Sequence, residues 1–216
     1  MKNKVLIITG GNIDNVFLKE HMLKEDYSLI IAADSGLEAI DRLGIKVDHI
    51  VGDFDSVSWD LLEKYNKGSV EIHRFSKEKD KTDTEIAIDL ALMQEPVKID
   101  IIGAIGSRID HTLANINLLL LPLDKGIEAN ILDANNKIYL KDKGFTIDKA
   151  SQYGKYISLI AFFGHVEDLL LKGFKYSLDG IRLNFDSSLG ISNEIVDERA
   201  TVQFSRGILL VVEALD

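Results

Sequence analysis

Short apolar runs rich in β-branched residues alternate with longer segments of helical periodicity over residues 1–122. This alternation is the pattern of βαβ units, in which each helix returns the chain so that successive strands lie parallel. The predicted strands are residues 4–9, 29–33, 49–51, 70–75 and 98–102. The predicted helices are residues 14–24, 37–43, 59–65, 83–94 and 109–121. We therefore expect an N-terminal α/β domain built on a parallel sheet.

The pattern changes after Pro122, where short alternating strands replace the helices. Turn signals punctuate this part at residues 134–136, 142–144, 163–165 and 206–207. Such spacing is typical of a small antiparallel β-sandwich or barrel. We therefore expect an α/β domain over residues 1–122 and a β-sandwich domain over residues 123–216.

Composition excludes several classes of function. The net charge of −10 argues against binding nucleic acid or an anionic membrane, since both need a cationic face. No cysteine is present, and the five histidines lack metal-binding pair spacing, so a zinc site is not expected. The apolar stretch at residues 116–123 is far shorter than the ~20 residues of a membrane helix. With no export signal visible, the sequence predicts a cytoplasmic protein.

Acidic residues follow two of the predicted strands, at the point where each strand ends. Asp34 follows residues 29–33, while Asp53 and Asp55 follow residues 49–51 in Gly52-Asp53-Phe54-Asp55-Ser56. The carboxyl ends of parallel strands share one rim, and residues two apart in an extended segment point the same way. Mg²⁺ prefers oxygen ligands, so this rim is a candidate metal site. The alternative is that Asp53 and Asp55 are turn and cap residues.

A third acidic cluster, Lys79-Asp80-Lys81-Thr82-Asp83, lies where a helix is predicted to begin. Thr82 and Glu85 have the spacing of a capping box, which marks this helix start. The alternative explanation is that these charges lie in the first turn and complement the helix dipole. That explanation accounts for Asp83 better than for Asp80.

The fourth candidate element is the turn Gly103-Ala104-Ile105-Gly106-Ser107-Arg108-Ile109-Asp110-His111 between a strand and a helix. Glycines permit a tight turn there, the helix N–H groups offer an anion site, and Arg108 can grip a phosphate. The alternative is a plain turn with Asp110 as helix cap and His111 on the surface. The Walker pattern and the Gly-x-Gly-x-x-Gly pattern are both absent, which disfavours a P-loop or dinucleotide fold.

Taken in order, these motifs resemble thiamine pyrophosphokinase of the bacterial type. The matching segments are Ala33-Asp34-Ser35-Gly36, Gly52-Asp53-Phe54-Asp55-Ser56, Asp80-Lys81-Thr82-Asp83-Thr84-Glu85 and Gly106-Ser107-Arg108-Ile109-Asp110-His111. In the second half, Leu189-Gly190-Ile191-Ser192-Asn193-Glu194 is similar to the Ser-Asn segment of the family's β domain. Ser35 departs from the pattern, since many members have a second Gly after the Asp.

The resemblance implies transfer of a pyrophosphoryl group from ATP to thiamine, giving thiamine pyrophosphate and AMP. It also implies a homodimer whose active site lies between the α/β domain of one subunit and the β domain of the other. On this basis we assign Mg²⁺ to Asp53, Asp55, Asp80 and Asp83, ATP to Asp34, Lys81, Arg108 and His111, and thiamine to Ser192 and Asn193.

The proposed chemistry has to stabilise negative charge that spreads over phosphate oxygens, which placed cations do best. We expect Asp53, Asp55, Asp83, Arg108 and Asp110 to be catalytic, with Asp83 or Asp110 as the base. Two other functions remain open. One is a metal-dependent sugar-nucleotide transferase with an Asp-x-Asp pair, and the other is a nucleotide or thiamine sensor that binds without turnover.

Overall fold

The computed structural model describes residues 3–55, 57–66, 68, 70–75 and 80–215. Ser56 and Lys79 of the sequence motifs lie outside these residues. The chain divides into two compact units, one up to Ala134 and the other from Asn135 onward. None of the described helices has the length and apolar character needed to cross a membrane.

The described residues of the first unit form six strands, whose order along the sheet is β4-β3-β2-β1-β5-β6. Every neighbouring pair in this order is parallel. The strands are β1 (Lys4–Ile8), β2 (Leu29–Ala33), β3 (His49–Gly52), β4 (Glu71–Arg74), β5 (Lys98–Ile102) and β6 (Glu128–Leu132). The predicted parallel α/β architecture is therefore confirmed. β6 was not expected in this sheet, and its pairing with β5 moves the end of the first unit beyond residue 122.

The described helices of the first unit correspond to the five predicted segments, one of which is split into two helices. The helices are α1 (Asn15–Lys24), α2 (Gly36–Leu43), α3 (Trp59–Asn66), α4 (Asp83–Leu92), α5 (Ile109–Leu118) and α6 (Leu120–Asp124). Residues 109–121 were predicted as one helix, but Pro122 has no N–H to donate to the carbonyl four residues earlier. The helix accordingly breaks at Leu119.

The start of α4 shows how the sequence fixes an element. Thr82 is the N-cap, and its hydroxyl accepts a hydrogen bond from the Glu85 N–H at 3.2 Å. This hydrogen bond is one of the two that make up the predicted capping box. It provides an acceptor for a backbone N–H of the first turn that has no partner within the helix. Ala87, Ile88 and Ala91 then form the buried face of the helix.

The strand order creates a crevice beside β1. The chain leaves β1 toward β2 on one side, and it later returns to add β5 on the other side. The connections after β1 and β5 therefore leave in opposite directions and open a gap at the carboxyl ends of these strands. Open α/β sheets bind ligands in such gaps. The sheet therefore places a candidate site at the ends of β1 and β5.

The second unit is antiparallel, as predicted. Its strands are β7 (Asn136–Lys141), β8 (Phe145–Asp148), β9 (Tyr156–Lys172), β10 (Leu178–Asn184), β11 (Asn193–Glu194), β12 (Arg199–Gln203) and β13 (Arg206–Ala214). β13 pairs with β7 and with the first half of β9, while β10 and β12 pair with its second half. Apolar side chains of both halves pack into one core.

One predicted turn is instead a bend inside β9. Phe163 and Gly164 have φ angles of 59° and 84°, and the register with β13 shifts at this point. Residues 163–165 therefore redirect a continuous strand and do not end it. A strand that carries such a bulge can pair with strands in both sheets of a sandwich.

Candidate active site

A cavity of about 360 Å³ lies at the carboxyl ends of β1 and β5. It is lined by residues that follow β1 and β2, by residues at the N-terminus of α4, by residues between β5 and α5, and by two residues of α5. The lining residues are Thr9, Gly10, Gly11, Asp34, Thr82, Asp83, Thr84, Gly103, Ala104, Gly106, Ser107, Arg108, His111 and Asn115. All belong to the first unit. The cavity thus occupies the crevice that the strand order creates.

Two glycine-containing loops meet at the floor of this cavity. The Gly11 N–H donates to the Gly103 carbonyl at 2.7 Å, and the Asn12 N–H donates to the Ile105 carbonyl at 2.7 Å. A Cβ on Gly11 would lie 2.3 Å from the Gly103 oxygen, and Gly103 itself has a φ of 79°. Both positions therefore require glycine. This structural role of Gly11 was not predicted from the sequence.

Hydroxyl and amide groups that sequence reasoning also missed hold the cavity walls. The Thr9 and Thr84 hydroxyls are buried and 2.9 Å apart, joining the end of β1 to the first turn of α4. The Asn115 side chain donates from α5 to the Ala104 carbonyl at 2.8 Å. A polar residue at the end of an apolar strand, as at Thr9, was the available sequence signal.

Asp34 lines the cavity in a strained backbone conformation. Its φ is 51°, in the left-handed region, and its N–H donates to the Val51 carbonyl at 2.9 Å. Ser35 has φ −64° and ψ −5°, an ordinary right-handed helical conformation. The departure from the family pattern at Ser35 therefore requires no special backbone, and the left-handed residue of this loop is Asp34 itself.

Asp53 and Asp55 are not arranged as an extended pair. β3 ends at Gly52, and Phe54 has a φ of 63°, so the expectation of an extended segment was wrong. Asp53 Oδ1 accepts a hydrogen bond from the Asp55 N–H at 3.1 Å, which closes an Asx-turn. Neither carboxylate is among the residues that line the cavity. The alternative assigned to these residues, a turn, is what the structure shows for Asp53.

The cluster before α4 divides between the cavity and the surface. Asp83 lines the cavity together with its neighbours Thr82 and Thr84. Lys81 is directed along the helix instead, with Nζ 2.6 Å from Asp89 and 3.3 Å from Glu85. Its hydrogen bond to Asp89 raises the pKa of Lys81 above its usual value. In this conformation, Lys81 is paired with carboxylates and not directed toward a phosphate, and Asp80 is exposed.

Arg108 is the N-cap residue of α5 and stands at the cavity. Its guanidinium makes a two-pronged contact with Asp110, with Nη2 2.6 Å from Oδ2 and Nε 3.2 Å from Oδ1. Asp110 also accepts from the His111 N–H at 3.0 Å. Arg108 and this N–H lower the pKa of Asp110 to about 2. His111 lines the cavity, as an ATP contact would need to.

The donor atoms around the cavity fit a hard cation. Asp34, Asp83 and the neighbouring threonine hydroxyls offer only oxygen, which is what Mg²⁺ prefers. Asp53, Asp55, Asp80 and Asp83 do not bring three ligand atoms within 4.8 Å of one another. Mg²⁺ usually takes only one or two carboxylates and completes its shell with phosphate and water, so three converging carboxylates are not required.

The segment assigned to thiamine lies in the second unit. Asn193 is buried, and its amide accepts from the Tyr176 N–H at 3.0 Å and donates to the Tyr176 carbonyl at 2.8 Å. Asn193 therefore holds the neighbouring loop in place. Ser192 is exposed and left-handed at φ 56°, and its N–H donates to the Ser158 hydroxyl at 3.0 Å. Of the two, Ser192 is the residue that presents a side chain to solvent.

Comparison with known proteins identifies the family of this chain. A family model described as thiamin pyrophosphokinase, catalytic domain, matches residues 20–131, and one described as thiamin pyrophosphokinase, vitamin B1 binding domain, matches residues 144–209. The chain is 33% identical over 214 residues to the thiamine pyrophosphokinase of Bacillus subtilis (strain 168), covering 99% of this chain and 100% of that protein.

Solved structures give the same result. The crystal structure of thiamine pyrophosphokinase from Bacillus subtilis superposes with a TM-score of 0.89 at 31% identity, covering 99% of this chain and 100% of that one. A thiamin pyrophosphokinase family protein from Enterococcus faecalis has a TM-score of 0.84 at 28% identity, with both chains fully covered. The chain therefore belongs to the thiamine pyrophosphokinase family.

Proposed function

We propose that this chain transfers a pyrophosphoryl group from ATP to the hydroxyethyl oxygen of thiamine. The thiamine oxygen attacks the β-phosphorus, a new phosphorus–oxygen bond forms, and the bond to the α-phosphate oxygen breaks. The products are thiamine pyrophosphate and AMP, and the proton of the hydroxyl passes to a base. Family membership supports this reaction.

One observation carries the proposal at the level of the site: the cavity is lined by the N-terminal residues of two helices. Thr82, Asp83 and Thr84 begin α4, while Ser107 and Arg108 precede α5. Free N–H groups at helix starts bind phosphate, and the positive end of the helix dipole favours anions. Arg108 adds a planar set of donors that matches phosphate oxygens. This combination suits a polyphosphate in a protein of net charge −10.

We propose Mg²⁺ as the metal, held by carboxylates from the set Asp53, Asp55, Asp80 and Asp83. Asp83 is the member that lines the cavity. When bound, the ion neutralises charge that develops on the phosphate oxygens. Asp34 and His111 line the same cavity and are proposed to contact ATP. Lys81 would have to leave Asp89 and Glu85 to join them.

The two candidate bases differ in their surroundings. A carboxyl group whose pKa is lowered to about 2 accepts a proton poorly near neutral pH, so Asp110 is a weak base. We propose that Asp110 orients Arg108 and that Asp83 is the carboxylate that takes the hydroxyl proton. In the second unit, Ser192 is proposed to face thiamine, while Asn193 fixes its loop. A cytoplasmic homodimer is part of the same proposal.

Product identity tests the reaction. Protein incubated with Mg²⁺, ATP and thiamine should give AMP and thiamine pyrophosphate by phosphorus NMR, and chelation of Mg²⁺ should abolish both. ADP or inorganic phosphate as the sole nucleotide-derived product would reject pyrophosphoryl transfer. Binding of thiamine and ATP without turnover would favour a sensor, and turnover that requires a sugar nucleotide would favour the transferase alternative.

A further inference from the structure

Three side chains that play no part in the proposed reaction meet near the edge of the parallel sheet. They are His49 on β3 and Glu71 and His73 on β4. His49 and Glu71 are register partners, and Glu71 and His73 are two residues apart on one strand. Residues related in these ways project from the same face of a sheet. No zinc site was expected from the sequence, because histidines on separate strands lack a fixed spacing along the chain.

The distances within the cluster match those between the ligands of one metal ion. His49 Nδ1 and His73 Nε2 are 3.1 Å apart. Two nitrogens this far apart, each at ~2.1 Å from an ion, subtend about 95° at that ion, between the octahedral and tetrahedral angles. The Glu71 oxygens lie 3.5 Å from the His49 nitrogen and 3.8 Å from the His73 nitrogen. One potential ligand atom from each residue falls within 4.8 Å of the other two.

The different exposure of the three side chains also suits a bound cation. The His49 and His73 side chains are only 16% and 24% exposed, which limits their rotation, whereas Glu71 is 67% exposed. The two imidazoles are therefore held together by the strands, and the carboxylate can close over them from solvent. Among the described residues, no strand lies beyond β4 in the sheet, and the exposed Glu71 can be reached by an ion from solvent.

We propose that His49, Glu71 and His73 form a binding site for a divalent transition metal of the zinc class. Two imidazoles and one carboxylate are a common Zn²⁺ ligand set that leaves a position for water, whereas Mg²⁺ prefers oxygen alone. None of the three residues lines the cavity. The bound ion would link the edge strand β4 to β3 and thereby stabilise the fold.

Zn²⁺ alone, added to the full chain without an affinity tag, tests the site. Isothermal titration in excess Mg²⁺ should show one Zn²⁺ per chain, and Zn²⁺ should raise the melting temperature. Removal of a ligand should weaken binding by at least ~100-fold, because the remaining two groups no longer enclose the ion. His73→Gln tests a nitrogen ligand. Glu71→Gln tests the carboxylate at a well-exposed position where folding is not at risk.

His165→Gln is the matched control, because His165 also pairs with a carboxylate, Glu167, at 2.9 Å, but lies in the second unit. Its Zn²⁺ affinity should equal that of the unmodified chain. With Co²⁺ in place of Zn²⁺, the visible spectrum should report ligation by two nitrogens, and His73→Gln should change that spectrum. Absence of Zn²⁺ binding, or equal affinity in His73→Gln, Glu71→Gln and His165→Gln, would overturn the proposal.

Discussion

The carboxylate of Asp110 holds the guanidinium of Arg108 at the cavity through two contacts, of 2.6 Å and 3.2 Å. Both side chains are about two-thirds exposed, at 67% and 65%. Exposed ion pairs add little to folding stability because water and salt screen them. The contact therefore matters for the direction of the guanidinium, which places its remaining donors near the helix N-terminus where phosphate is expected.

Replacement of Arg108 with lysine should lower kcat/KM by ~100-fold, since an ammonium group cannot reproduce a planar pair of donors. The melting temperature should stay unchanged because the side chain is exposed. Asp110→Asn, the companion variant, keeps an acceptor for Arg108 and should lose less activity. Steady-state kinetics with ATP and thiamine measure both effects. A larger loss in Asp110→Asn than in Arg108→Lys would show that Asp110 itself takes part in the chemistry.

Asp53→Asn separates the metal role of Asp53 from its turn role. Asparagine keeps the oxygen that accepts from the Asp55 N–H, so the turn and the melting temperature should be preserved. The loss of charge should lower turnover by ~100-fold or more if Asp53 binds Mg²⁺. A titration of Mg²⁺ against rate measures this, with Asp55→Asn in parallel. Full activity of Asp53→Asn at saturating Mg²⁺ would remove Asp53 from the metal site.

The arrangement of strands and helices followed from local patterns in the sequence. β-branched runs bounded by turn residues indicated β1 through β5, and Thr82 marked the start of α4 because a side-chain cap acts within one helical turn. Family motifs also pointed to Asp34, Asp83, Arg108 and His111, which all line the cavity. These features depend on residues close in sequence, which is why a single chain reveals them.

Features that depend on residues far apart in sequence escaped prediction. The Thr9–Thr84 contact and the His49–His73 contact each join two separate elements. The left-handed φ of Phe54, a residue type that rarely adopts it, turned an expected extended pair into a turn. Lys81 lies just before α4 and has a residue of opposite charge within reach on that helix, Asp89, and this pairing determined its direction.

Gly11→Ala should destabilise the protein by ~2 kcal/mol or more. A Cβ at this position would lie 2.3 Å from the Gly103 oxygen and 2.5 Å from the Ile105 oxygen, and both are main-chain atoms that anchor the cavity floor. Gly10→Ala is the adjacent control, because the one contact of its Cβ that is too close is with the Ser35 hydroxyl, which can rotate away. Urea denaturation measures both variants. Equal stabilities would mean that the two loops can separate without cost.

Tyr27→Phe should lower the free energy of unfolding by ~1–3 kcal/mol, because it removes a hydrogen-bond donor from a buried carboxylate. Asp100 is fully buried and accepts from the Tyr27 hydroxyl at 2.6 Å and from the Asn130 amide at 2.8 Å. Ser28→Ala, which removes a neighbouring hydroxyl from an exposed hydrogen bond with Asn3, is the control and should change little. Urea denaturation at neutral pH gives the comparison, and equal losses in the two variants would contradict this prediction.

His21 makes the same network sensitive to pH. Burial lowers the pKa of His21, an effect that the nearby Asp100 only partly offsets. The unfolded chain, with a histidine pKa of about 6.5, therefore binds a proton at this residue more tightly than the folded chain does. The stabilising contribution is complete above that pH and is lost as the pH falls toward the lower pKa of the folded state.

His21→Gln keeps a donor for the Tyr27 hydroxyl, which lies 2.5 Å from the His21 nitrogen, but it cannot take up a proton. The free energy of unfolding, measured in urea at pH 7.5 and pH 5.5, should therefore fall less between these values in the variant. His111→Gln, at a cavity residue on α5, should keep the slope of the unmodified chain. An unchanged slope in His21→Gln would show that His21 is protonated equally in the folded and unfolded states, and burial would then not govern its titration.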